Sequence, residues 1–190
     1  MTNANITYLT DGLWTGGDLP TDIDEAVGHV NDWLHTGIET VIDCRHEWSD
    51  EDFVAAVAPA IRYVYLGIDD AGQRIPDRWF DSVLNASEAA ADGGGNLVHC
   101  HMGINRGPSA AFALLIARGH PPVEAIALIR SRRPIAAVGY AEDALGWWHR
   151  RSGADTSRRR QDEQALREWR RDHPHDTVRI IRSIRADEVA

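Results

Sequence analysis

The sequence predicts an α/β fold with a mainly parallel central sheet flanked by helices, followed by a helical C-terminal extension. Three observations predict it. Short apolar runs rich in β-branched residues, such as Thr40-Val41-Ile42, alternate with longer segments whose apolar residues recur at helical spacing. Strands separated by helices in this way pair in parallel beneath a helical cover. With 190 residues and 43% hydrophobic content, the chain is long enough for one well-cored domain plus an appendage. After Gly153 its character changes, and Ser157-Arg158-Arg159-Arg160 leads a polar stretch. The expected division is therefore a main domain over 1–151 and an Arg-rich, mostly helical extension over 152–190.

Taken in order, a first strand is expected around Ile6 to Thr15. An amphipathic helix over about Ile23 to Leu34 follows, burying Ile23, Val27, Val30 and Leu34, and Gly37 stops it. Strands at Thr40 to Cys44 and Ile61 to Leu66 flank a short helix near Asp50 to Val57. Pro76 opens the next helix, where Trp79, Phe80, Val83, Leu84 and Ala90 share one face, and Gly93-Gly94-Gly95 ends it. The strand Asn96 to His99 then delivers Cys100. Helices near Ser109 to Arg118, Pro122 to Ser131 and Ala141 to Arg151 complete the main domain, with Trp147 and Trp148 read as packing residues. In the extension, residues 158–171 read as a polar helix packed on that domain and 177–184 as a final strand or helix.

The segment Leu97-Val98-His99-Cys100-His101-Met102-Gly103-Ile104-Asn105-Arg106 carries the chemistry. Cys100 sits at a strand-to-helix turn, where successive backbone N–H groups and the positive end of a helix converge on an anion. Gly103 permits the backbone conformation that brings those groups together. The same field favours thiolate over thiol and so a nucleophilic cysteine. Arg106 returns from the helix start to grip two phosphate oxygens through its planar fork. A metal reading of His99-Cys100-His101 fails, because neighbouring strand residues point to opposite faces and no second cluster closes a site.

The pattern His99-Cys100-x2-Gly103-x2-Arg106 is similar to the signature of cysteine-dependent phosphatases. Over about residues 6 to 150 the chain resembles the dual-specificity (VH1-like) branch of the protein tyrosine phosphatase superfamily. Further matches are Gly12-Leu13-Trp14-Thr15-Gly16-Gly17, Gly37-Ile38-Glu39-Thr40-Val41-Ile42-Asp43, and the helix from Val123 that ends in Arg133-Pro134. The resemblance implies a protein tyrosine phosphatase-like fold, with residues 1–151 as catalytic domain. It implies hydrolysis of phosphate monoesters on phosphotyrosine and phosphoserine or phosphothreonine, through a phosphocysteine on Cys100 and without a cofactor. No segment reads as the deep pocket wall of strict tyrosine phosphatases, so the site is expected to be shallow. The phosphate loop is then His101, Met102, Gly103, Ile104, Asn105 and Arg106.

A general acid must protonate the leaving group. Asp69 and Asp70, in Gly67-Ile68-Asp69-Asp70-Ala71-Gly72, are the candidates, and the register to Phe80 selects Asp70 by resemblance. His99 is expected to bond backbone near Cys100. Relatives carry Ser or Thr after the arginine, where this chain has Gly107; Ser109 comes two residues later, and the Asn105 amide is a second candidate aid to hydrolysis of the intermediate. Cys44, at the end of a neighbouring strand, is a candidate redox partner for Cys100, as in some superfamily members. Asn105 also resembles the loop of RNA 5′-triphosphatases, which keeps an RNA or nucleotide 5′-phosphatase open. A phosphoinositide phosphatase and a catalytically weak phosphopeptide-binding module stay open beside it.

Composition limits these readings. No apolar run approaches the roughly 20 residues of a membrane span, and the N-terminus lacks an export signal, so a cytoplasmic protein is expected. Two cysteines make no disulfide framework. All 20 basic residues are arginine. Residues 1–149 carry 9 Arg against 21 Asp and Glu, a net charge of −12, while 150–190 carries +3. Such an acidic body disfavours nucleic acid and anionic membrane as partners, and phosphate capture must be local.

Overall fold

The computed structural model describes residues 5–89 and 94–187. Ala90 and Gly93, expected at the end of the third helix, lie outside the described residues. The first correction comes at the start. The run read as one strand is a hairpin, β1 (Ile6–Thr10) and β2 (Leu13–Gly16), paired antiparallel. Asp11 and Gly12 take φ of 49° and 67° between them. That is the left-handed two-residue turn for which Asp-Gly is a strong signal.

The remaining elements are α1 (Ile23–His35), β3 (Ile38–Asp43), α2 (Glu51–Val57), β4 (Arg62–Tyr65), α3 (Asp77–Glu88), β5 (Gly95–His99), α4 (Arg106–Ala117), α5 (Pro122–Arg132), α6 (Ala141–Arg151), α7 (Thr156–Asp172) and α8 (Thr177–Asp187). The sheet order is β1-β2-β5-β3-β4, and every pair but the first is parallel. Strand alternation divides the core in two. Val41 and Leu97 face a smaller cluster under α1 and α2, whereas Ile42 and Val98 face the main cluster built by α3 to α6. The parallel strands end together at one edge of the sheet, where ligands bind in open α/β folds, and Cys44 and Cys100 follow β3 and β5 there.

Helix α1 corrects the expected face. Ile23 is 71% exposed and Leu34 38%, and the buried set is Ala26, His29, Val30 and Trp33. Trp33 fills more of the groove over β3 than Leu34 could, and it rotates the helix accordingly. Helix α4 is buried along all of Arg106 to Ile116, which seats its N-terminus in the middle of the molecule. Trp147 is 1% exposed and stacks on Phe80 with ring centroids 5.5 Å apart. In the extension α7 is polar, yet its Leu166 is fully buried in the main cluster with Trp169 packed beside it. Residues 177–187 form a helix rather than a strand.

Candidate active site

The loop after β5 is shaped by what holds its carbonyls. His101 O accepts from Asp18 N at 2.8 Å, Met102 O and Gly103 O accept from the Arg133 guanidinium at 3.2 and 2.7 Å, Ile104 O accepts from Ala137 N at 2.7 Å, and Asn105 O accepts from Ser109 N at 2.8 Å. A trans peptide sets each following N–H opposite its carbonyl. Five outward-bound carbonyls therefore turn the N–H groups of Met102 to Arg106 toward the loop interior. Among the described residues, the N–H groups of Met102 through Asn105 donate no hydrogen bond. Such a ring of free donors at a helix N-terminus is an anion cradle. Gly103 has φ +64°, and a Cβ there would lie 2.3 Å from Arg133 Nη2 and 2.6 Å from the Gly16 carbonyl carbon, so only glycine fits.

Cys100 is 2% exposed at the base of this loop, and Arg106 is 3% exposed at the start of α4. The Arg106 fork is engaged. Nη1 donates to Glu47 Oε2 at 2.8 Å and to Ile68 O at 3.0 Å, and Nη2 donates to Glu47 Oε1 at 2.7 Å. Nε is unpaired, 3.6 Å from Asp70 Oδ2. Burial opposes the Arg106 charge, but Glu47, Cys100 and Asp70 together outweigh it and hold the guanidinium more firmly protonated than usual. In return the Arg106 contact draws Glu47 down from 4.5 to about 2, against a smaller effect of burial.

Of the two candidate acids, the structure separates the roles. Asp69 stabilises its own turn, accepting from Asp70 N at 3.0 Å. Asp70 turns toward the loop, where its Oδ1 accepts from Asn105 Nδ2 at 2.7 Å and from the Tyr140 hydroxyl at 2.9 Å. Burial, then the bond to Asp70, pushes the Tyr140 hydroxyl up to about 12, which keeps it a donor. Asn105 Oδ1 accepts from Gly139 N at 2.5 Å. The Asn105 amide is thus a clamp joining the Asp69-Asp70 segment, the 100–106 loop and the turn before α6.

His99 does not meet its expectation. It is fully buried, neither ring nitrogen makes a hydrogen bond of normal geometry, and Nε2 lies 3.7 Å from Asp43 Oδ1. The strand pleat points it away from Cys100. Burial lowers it to about 4, with Asp43 pulling the other way. Ser109 is buried, and its Oγ accepts from Tyr140 N at 3.1 Å, which places it in the support of the Tyr140 turn. At Gly107 a Cβ would stand 3.0 Å from the His99 carbonyl carbon, so α4 packs too close to β5 for a side chain without adjustment. Cys44 and Cys100 are free thiols at adjacent strand ends, with Cys44 N donating to His99 O at 2.9 Å. Burial pushes the Cys44 thiol well up, and Cys100 and Asp43 add to it.

The residues missed in the sequence come from segments distant from the loop. Arg45 is fully buried and binds Asp43 and Asp50 at 2.8 Å each, Tyr63 at 3.0 Å, and Asp18. It fixes the turn that presents Glu47 and Trp48. Trp48 stands edge-on to His101 at 5.2 Å, and His101 Nδ1 lies 3.0 Å from Asp18 Oδ2, so His101 is held at the rim of the loop. Cys100, Arg106, Asp70, Asn105, Glu47 and Met102 open on one cavity of about 400 Å³, which Thr177 and Ile181 of α8 also line.

These features define the site: a cysteine at a central strand end, a loop of inward N–H groups, and an arginine opening the next helix. Solved structures share the fold. The chain carries the fold of the dual-specificity phosphatases. Human DUSP28 matches at 20% identity and a TM-score of 0.61, over 75% of this chain and 92% of that one. The Yvh1 phosphatase domain from Chaetomium thermophilum matches at 20% and 0.57, over 80% and 99%. PTPMT1 in complex with PI(5)P matches at 17% and 0.60, over 77% and 98%. No protein-family model matches the sequence, and no curated protein does. Among the described residues no helix is long and apolar enough to cross a membrane, and no cluster of His, Cys, Asp or Glu is arranged to hold a metal ion.

Proposed function

We propose that the protein is a cysteine-dependent phosphatase that hydrolyses phosphate monoesters on proteins. The observation that carries this reading is the convergence of Cys100, Arg106 and Asp70 on one cavity floored by unpaired loop N–H groups. The Cys100 thiolate attacks phosphorus, the P–O bond to the leaving group breaks, and Asp70 gives that oxygen its proton. The loop N–H groups and Arg106 stabilise the charge that develops on the three equatorial oxygens. Water then attacks the phosphocysteine, Asp70 takes its proton, and inorganic phosphate leaves with the thiolate restored.

Asn105 and Tyr140 position Asp70, and Arg133 keeps the cradle open. The test is turnover of an aryl phosphate in EDTA by wild type, Cys100→Ser and Asp70→Asn. Loss of turnover in the first variant and a drop of about 100-fold or more in the second are expected. Phosphopeptide binding without turnover in wild type would replace the enzyme with a binding module.

A further inference from the structure

The cavity has a wall that no motif in the sequence marks. Helix α8 presents Thr177 and Ile181, one turn apart, to the same space as Cys100 and Arg106. Its seating is specific. Arg130 donates to His173 O at 2.7 Å and Pro174 O at 3.3 Å, and its guanidinium lies 5.3 Å from the Trp169 ring. Asp176 Oδ1 caps the helix by accepting from Arg179 N at 2.9 Å. These bonds pin the end of α8 that carries Thr177. Ile180 and Ile184 are half-buried, whereas Arg179, Arg182 and Arg185 are exposed, so the helix turns an apolar edge inward.

Ile181, Met102, Ile104 and Ala137 make up the apolar part of the lining, and the ester group of a phosphate held in the 100–106 loop would pass them on its way to solvent. A flat aromatic ring can fill that space and bury its faces against those side chains. A phosphoserine has a single methylene between phosphate and backbone. Its peptide groups would be drawn in against Ile181, Met102 and Ala137, whose side chains offer no hydrogen bond, at a cost. We propose that Ile181 is a specificity-determining residue, through which α8 makes the site select aryl phosphate monoesters of the phosphotyrosine type over phosphoserine and phosphothreonine. The inference rests on the phosphatase reading and deepens it.

The test measures kcat/KM for one peptide in phosphotyrosine and phosphoserine forms, using full-length wild type, Ile181→Ala, Ile181→Asp and Val178→Ala. Val178, 59% exposed on the same helix, is the control for general damage to α8. Wild type should prefer phosphotyrosine. Ile181→Ala should lower the phosphotyrosine to phosphoserine ratio about tenfold by reducing the phosphotyrosine value alone. Ile181→Asp should lower it further, and Val178→Ala should leave it unchanged. An unchanged ratio in both Ile181 variants, an equal fall for both peptides, or a rise for both, which would make α8 a lid, overturns the inference. Each of these leaves the phosphatase reading intact if Cys100→Ser abolishes turnover. Absence of wild-type turnover, or turnover that survives Cys100→Ser, overturns both.

Discussion

Glu47 and the incoming phosphate cannot both hold the Arg106 fork. Glu47 takes Nη1 and Nη2 together, which leaves only Nε free. A two-point grip on phosphate therefore requires Glu47 to release at least one nitrogen. The lowering of Glu47 from 4.5 to about 2 corresponds to about 3 kcal/mol before solvent is considered. The side chain is 37% exposed, and screening reduces that to about 1 kcal/mol. Replacing Glu47 by alanine should thus tighten inorganic phosphate binding about fivefold. Calorimetric titration at pH 7 of Cys100→Ser and Cys100→Ser/Glu47→Ala measures this without turnover. An unchanged or weaker dissociation constant in the double variant would show that Glu47 aligns Arg106 for phosphate rather than occupying it, and the competition argument would be wrong.

Three further outcomes follow from buried charge and adjacent thiols. Arg45→Ala strands Asp43, which is fully buried, and should cost about 3–5 kcal/mol in urea unfolding; a loss below about 1 kcal/mol would mean that the turn bearing Glu47 is held by other contacts. His99 is lowered to about 4 from 6.5, so the folded state binds fewer protons than the unfolded one between those values. Stability should be complete above about pH 6.5 and fall by about 3 kcal/mol as pH drops to 4, and His99→Gln should remove that part of the pH dependence in urea titrations. Brief peroxide treatment should join Cys44 to Cys100 as a disulfide detectable by peptide mapping, and dithiothreitol should then restore wild-type activity but not that of Cys44→Ser. Mapping that finds no such linkage removes Cys44 from the redox chemistry.

The strand-turn-helix geometry of the 100–106 loop was legible because its parts are contiguous. Cys100, Gly103 and Arg106 belong to one strand-turn-helix, and local geometry fixes what they can do. The strands were legible for a similar reason, since Val41-Ile42 and Leu97-Val98 alternate between two buried faces and so read as runs. The hairpin at Asp11-Gly12 carried its signal in that dipeptide, but the apolar positions on both sides read through it as one strand. In α1 the stripe of larger aliphatics competed with a stripe holding Trp33, and burial of Trp33 decided the rotation. Glu47 and Ile181 line the cavity, while Arg133 and Tyr140 brace the loop and Asp70 beside it, and the four come from separate segments. Only the position of Glu47 was open to inference, because it follows β3, the parallel neighbour of β5, at the same sheet edge.

The charge distribution connects these observations. Phosphate capture had to be local in a body so acidic, and the structure shows how the nearby carboxylates are managed. Asp43 and Asp50 are bound to Arg45, Asp18 is shared by Arg45 and His101, and Asp70 faces the Asn105 and Tyr140 donors. Each of these negative charges has a donor of its own, and Asp70 stands only 3.6 Å from Arg106 Nε. Glu47 differs, because it holds both terminal nitrogens of the arginine proposed to take the phosphate. It therefore sets the cost of emptying the site before substrate enters, which is why its replacement, more than that of any other acid here, separates a site built to bind phosphate from one that the chain's own carboxylate keeps closed.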